Sequence, residues 1–160
     1  MSSHRYIGGL SVVEIIVSAA IIAIAVTGIA GAWQLYIKVA NLGTQYAQAT
    51  MLVEEASEAL SVMRDTNWTS AINPLSLNTT YYLYWDGTTY SATTTQQVSS
   101  GSFVRTIVFS TVTRDVNFDI ASSGTVDLKT RKVVITVYPL GNASTTLAQA
   151  QLLLHNVYNN

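Results

Sequence analysis

Apolar positions fall along this chain in three rhythms. From Ile15 to Ile37 they run almost without a break, from Lys38 to Asp65 they recur by threes and fours, and beyond Asn73-Pro74 they alternate with polar residues. The first run holds 23 residues without a charge. As a helix it is about 34 Å long, enough to cross a hydrocarbon core of about 30 Å, so it predicts a transmembrane helix. The second places Leu42, Tyr46, Ala49, Leu52 with Val53, Ala56, Leu60 and Met63 on one face, and Gln45, Gln48, Glu55 and Glu58 opposite. That is the pattern of an amphipathic helix. With no Pro between the two runs, a single helix from about Leu10 to Asp65 is expected, roughly 84 Å long if unbroken. Half of it would lie in a bilayer and half against a soluble domain.

The helix should stop near Asp65-Thr66-Asn67, ahead of the Asn73-Pro74 loop. Tyr81-Tyr82-Leu83-Tyr84-Trp85 then runs into Asp86-Gly87 and out through Thr88-Thr89-Tyr90. This predicts a hairpin with a two-residue turn, both turn residues at positive φ, Leu83 opposite Tyr90, and Tyr81, Leu83 and Trp85 facing inward. Thr93 to Ser102 reads as a polar loop. Phe103 to Thr113 and Lys132 to Tyr138, rich in Val, Ile, Phe and Thr, read as strands separated by the Ser122-Ser123-Gly124 turn. The last stretch, Thr145 to Tyr158, fits both periods. We read it as a strand because an antiparallel sheet on the helix would give Lys132 to Tyr138 a second neighbour. The architecture predicted is α+β: one long N-terminal helix packed on a C-terminal antiparallel sheet.

Composition sharpens this picture. Apolar residues make up 49% and charged ones only 11%, but the hydrophobicity is concentrated before residue 40, and the remainder is rich in Thr, Ser, Asn, Gln and Tyr. Such a remainder suits an exposed, extracytoplasmic β-rich domain. The net charge of -1 supplies no field to attract nucleic acid. The absence of Cys removes disulfides, thiolate nucleophiles and Cys-ligated metals together.

One carboxylate, Glu14, stands at the lip of the uncharged run. A charge so near a membrane span is costly without a partner and marks a functional site. It follows Gly8-Gly9-Leu10-Ser11-Val12-Val13, which in turn follows a short leader carrying His4 and Arg5. The leader favours a cytoplasmic N-terminus.

This arrangement resembles the class III signal of type IV prepilins and pseudopilins. In that family a membrane peptidase, the prepilin peptidase, cuts after the Gly, methylates the new N-terminus and leaves a Glu as the fifth residue. Applied here, the resemblance implies cleavage between Gly9 and Leu10 and methylation of Leu10, with Glu14 as the assembly carboxylate; cutting after Gly8 would put Glu14 sixth. It implies four segments: a leader over residues 1–9, a transmembrane and assembly half over 10–37, an amphipathic half over 38–66, and an extracytoplasmic sheet domain over 67–160. Its implied partners are other pilin subunits, the peptidase and an inner-membrane assembly platform, with the chain reaching the cell surface as part of a filament. No cofactor is implied.

Leu10 where Phe or Met is usual is a conservative change, while Gly31 where many major pilins have Pro, and the lack of a disulfide loop, lean the resemblance towards a minor pilin or pseudopilin. The charges supply a physical logic, because cleavage creates an amine at the end of a buried helix and Glu14 of an incoming subunit is its natural counter-ion. Other readings stay open here. Ala30-Gly31-Ala32 has the small-x-small form of a secretory cleavage site, which would start the mature chain at Trp33. A single-pass anchored binding domain that never polymerises fits as well.

Asp115, Asn117 and Asp119 space three oxygen ligands as a calcium loop does, but Ile120 and Val126 stand where an EF-hand needs Gly and Glu. The plain alternative is a polar strand face leading to a turn. Lys129-Thr130-Arg131-Lys132 is the basic cluster, expected as a solvated edge at a strand start. Asn67, Asn78 and Asn142 open glycosylation tripeptides, and His155 has no nucleophile to pair with by spacing, so enzymatic function is not expected.

Overall fold

The computed structural model describes residues 11–158, and the predicted cleavage positions Gly9 and Leu10 lie outside them. The chain has an α+β layout, with one long helix, α1 (Val12–Thr66, 55 residues), packed on an antiparallel sheet. Seven strands follow a short helix, α2 (Trp68–Ala71): β1 (Thr80–Trp85), β2 (Tyr90–Thr93), β3 (Val98–Ser99), β4 (Phe103–Arg114), β5 (Ile120–Ala121), β6 (Thr125–Pro139) and β7 (Ala148–His155). The chain divides into two compact units at Gly43/Thr44, within α1.

The first unit contains the first half of α1, and every described residue in it is exposed. Its apolar window is long and apolar enough to cross a membrane.

In the second unit the sheet runs β2-β1-β4-β6-β7. One side of β4 is paired with β6 along its length; β3, β1 and β5 share the other side in succession, at Phe103–Val104, Thr106–Val108 and Thr113–Arg114. The α1 positions Ala49, Leu52, Val53, Ala56, Leu60 and Met63 are buried against alternate residues of the central strands, among them Ile107, Phe109, Val133 and Ile135. Trp68 and Ile72 extend this core past the end of α1. The helix stops because Asn67 adopts an extended conformation and its side chain accepts from the Ser70 N–H at 2.9 Å, so it ends one helix by capping the next. The expected loop after Asp65-Thr66-Asn67 thus begins with one further helical turn.

Three expectations need correction. Leu42 and Tyr46 lie on the predicted buried stripe but are exposed, and burial starts at Ala49. The geometry explains this: the inward run Phe103 to Phe109 is about 20 Å of strand, which matches the about 21 Å of helix from Ala49 to Met63. The hairpin register is the second. Trp85 pairs with Tyr90 and Leu83 with Ala92, so the loop is Asp86 to Thr89. Only Gly87 takes a positive φ, of 99°. The Asp86 carboxylate accepts the Thr88 and Thr89 N–H groups at 2.8 Å each and so closes a wider turn by itself. These bonds hold its pKa below the ordinary value. Tyr81 and Leu83 are buried as expected, but Trp85 stands half exposed. Third, the Lys129 to Lys132 cluster lies inside β6, not at its start, and its Thr130 is buried.

The stretch that fits both periods, Thr145 to Tyr158, contains β7 (Ala148–His155), the edge partner of β6. The polar loop Thr93 to Ser102 contains β3, a two-residue strand on β4.

Candidate functional site

The first turn of α1 is built by Ser11 and Glu14. The Glu14 N–H reaches the Ser11 carbonyl at 3.0 Å and its Oγ at 3.4 Å, and the Ile15 N–H reaches the same carbonyl at 3.2 Å. Ser11-Val12-Val13-Glu14 therefore has the Ser-x-x-Glu spacing of a capped helix start, with Ser11 in a local capping role that the sequence reading passed over. An acidic residue in the first turn also faces the positive end of the helix dipole. Among the described residues no cation lies within ion-pair distance of Glu14. Downstream, Gly28, Gly31 and Gly43 meet no neighbouring atom within 4 Å of where a side chain would begin. Trp33 and Tyr36, with ring centroids 6.0 Å apart, close the apolar run just before Lys38.

Within the second unit a different acid is fully engaged. Glu55, expected on the solvent face, accepts from Arg105 at 3.2 and 3.3 Å and from the Tyr90 hydroxyl at 3.1 Å. Arg105 alternates along β4 with Phe103, Ile107 and Phe109, so it points at the helix and is only 5% exposed. Its Nη1 also donates to the Leu52 carbonyl at 2.8 Å, while its Nε is buried without an acceptor. Burial, then the Glu55 carboxylate, raises the Tyr90 pKa. This group escaped sequence reasoning, although an Arg in step with inward Phe and Ile residues was the available signal. Beside it a cavity of about 300 Å3 opens between the β1–β2 hairpin and β3.

A second polar group sits at an irregularity of β6. Pairing with β4 jumps from Arg131 to Asp127, leaving Leu128, Lys129 and Thr130 bulged out of that ladder. Asp127 accepts from the Thr130 hydroxyl at 2.6 Å, from Arg114 Nε at 2.7 Å and from the Lys129 N–H at 2.9 Å. The Thr130 hydroxyl, then Arg114, pulls the Asp127 pKa down to about 2. His155 Nδ1 lies 2.9 Å from the same hydroxyl. This Thr is buried and held by two neighbours, an arrangement that secures the bulge.

Asp115, Asn117 and Asp119, the residues spaced like calcium ligands, lie in one turn. Asp115 to Asp119 form the turn between β4 and β5, in which Asp115 Oδ1 accepts the Asn117 and Asp119 N–H groups at 2.8 and 3.0 Å. That makes the stretch the turn itself and not a strand face leading to one, with Val116 and Phe118 exposed at its tip. Among the described residues no group of three or more acidic or His side chains is placed to hold a metal ion. Of the glycosylation candidates, Asn67 is the cap of α2, Asn78 adopts a φ of 56°, and Asn142 lies in the exposed turn after β6.

In comparisons with known proteins, no family model, no curated protein and no solved structure matches the chain.

Proposed function

We propose that this chain is a structural subunit of a type IV pilus or pilus-like filament, made with a membrane-spanning helix, processed after Gly9 and polymerised through the first half of α1. The observation that carries the reading is the contrast within that half: an exposed apolar helix with one carboxylate in its first turn and, among the described residues, no cation to pair with it. In hydrocarbon such a carboxylate is expensive unless paired. The amine created at Leu10 by cleavage supplies the pair when the two come from different subunits, which gives register as well as attraction. Before assembly, the Ser11 cap and the helix dipole ease the cost of the charge.

The glycines support the same reading. Each Gly in a helix costs about 1 kcal/mol relative to Ala, and Gly28, Gly31 and Gly43 have no close contact among the described residues to require them. Helices packed closely in a filament would require them. Trp33, Tyr36 and Lys38 have the character of residues at a membrane boundary.

Two measurements test the proposal. Mass spectrometry of the mature N-terminus is expected to find methylated Leu10; a start at Trp33 or Met1 would refute processing as proposed. Glu14→Val is expected to leave membrane insertion intact and to remove the subunit from sheared filaments. Incorporation at the wild-type level would end the counter-ion argument.

A further inference from the structure

The cavity beside Arg105 has the chemistry of a ligand site. Its volume of about 300 Å3 is at the small end of the ~300–1,000 Å3 typical of small-molecule sites, room for one or two rings. One wall is aromatic: Trp85 is 50% exposed and is braced by its cross-strand neighbour Tyr90, ring centroids 4.6 Å apart at 48°. The opposite rim is polar and uncharged, with the Gln97 amide and the Ser99 and Ser100 hydroxyls. Ser100 and Gly101 both hold positive φ, 50° and 69°, in the tight turn that sets this rim. The floor contains the Arg105–Glu55 pair.

These features discriminate between ligand classes. Arg105 and Glu55 neutralise each other and every other lining side chain is uncharged, so no net charge awaits an anion or cation. The Gln97 Nε2 already donates to the Thr95 carbonyl at 3.2 Å, but an apolar ligand would leave the Gln97 Oε1 and the Ser99 and Ser100 hydroxyls without partners, a costly outcome on burial. A neutral ligand with one apolar C–H face and a rim of hydroxyls satisfies both walls. Its polarised C–H groups lie against the negative face of an aromatic ring, and its hydroxyls exchange hydrogen bonds with the amide and serines. We propose that this cleft binds a neutral carbohydrate ring, with Trp85 as the stacking platform and Gln97 and Ser99 as hydroxyl partners. The inference does not depend on the assembly reading, since all of these residues lie in the second unit.

The test uses the full-length chain, unassembled, in a zwitterionic detergent without a sugar headgroup. Tryptophan fluorescence and saturation-transfer NMR would be followed while titrating methyl glycosides of glucose, galactose, mannose and N-acetylglucosamine, with galacturonate and inorganic phosphate as anionic probes. At least one neutral glycoside is expected to bind saturably in the micromolar to millimolar range. Trp85→Ala should weaken it at least tenfold and Gln97→Ala several-fold, while Trp85→Phe retains most of the affinity and Phe118→Ala all of it. The Trp85→Phe and Gln97→Ala variants keep the test decisive if Trp85→Ala fails to fold. Overturning results are no saturable neutral glycoside, undiminished binding by the Trp85→Ala and Gln97→Ala variants, or binding of the anionic probes alone.

Discussion

The two halves of α1 treat apolar surface and charge in opposite ways. In the second half, Ala49, Ala56 and Leu60 are fully covered and Glu55 is held by Arg105 and Tyr90. In the first half, Val13, Ile16, Ile22 and Ile29 remain 62–70% exposed and, among the described residues, Glu14 has no cation in reach. One helix thus carries a face completed within the chain's own fold and a face that is not. What the difference teaches is where partners must be sought: for Glu55 in the fold, for Glu14 outside the described residues and, on our proposal, in a neighbouring subunit.

Exchanging properties between the halves breaks this contrast. The largest effect is expected for Glu14→Val, with filament incorporation down at least tenfold and no change in the thermal melt of the sheet domain, read by immunoblot of filament and membrane fractions and by circular dichroism. Arg105→Leu should do the reverse. It strands Glu55, and breaking a buried pair costs about 3–5 kcal/mol, discounted here to about 2–3 because Glu55 is partly exposed; a lowered melting midpoint in detergent is the readout. Asp127→Asn probes an acid held entirely within the second unit. Its folded-state pKa of about 2 lies below the ordinary 3.8, so the unfolded chain takes up the proton first as pH falls. The stabilisation, on the order of 1–2 kcal/mol, is present above about pH 4 and lost towards pH 2. Asp127→Asn should flatten that limb of the stability–pH curve. The smallest effect belongs to Ser11→Ala, which removes the cap of the first turn at a cost of about 1 kcal/mol. Filament incorporation should stay near wild type; a loss as deep as that of Glu14→Val would mean that helix capping, not charge pairing, is what Glu14 provides.

Much of this architecture was legible because it rests on periodicity. The change of rhythm at Asn67 to Pro74 marks the real end of α1, the run Phe103 to Thr113 matches β4 to within one residue, and the run Lys132 to Tyr138 lies in the second half of β6, which begins at Thr125. What stayed hidden depended on single side chains acting on distant backbone. The Asp86 carboxylate widens a turn that the dipeptide Asp-Gly alone predicts as tight. The Asp127 bulge draws Lys129 to Lys132 into the middle of a strand. Arg105 reads as a solvated residue in isolation and becomes buried only because Leu52 and Glu55 meet it from residues far away in sequence. Of the candidate site, the carboxylate and its apolar setting were readable, whereas the Ser11 cap needed the backbone geometry to separate a local role from a collective one.

The covered face of α1 carries a further consequence, in time. Ala49 to Met63 are sealed by strands that come much later in the chain, the last of these core residues being Leu154 of β7, 1% exposed. Such contacts close large loops, and their formation is slow. At about 5–20 residues per second, synthesis from Met63 to Leu154 takes roughly 5–18 s. During that interval the apolar stripe has no sheet to cover it. A chain tethered in a membrane by the preceding segment would wait out this delay at low encounter frequency, which limits the aggregation that an uncovered stripe invites.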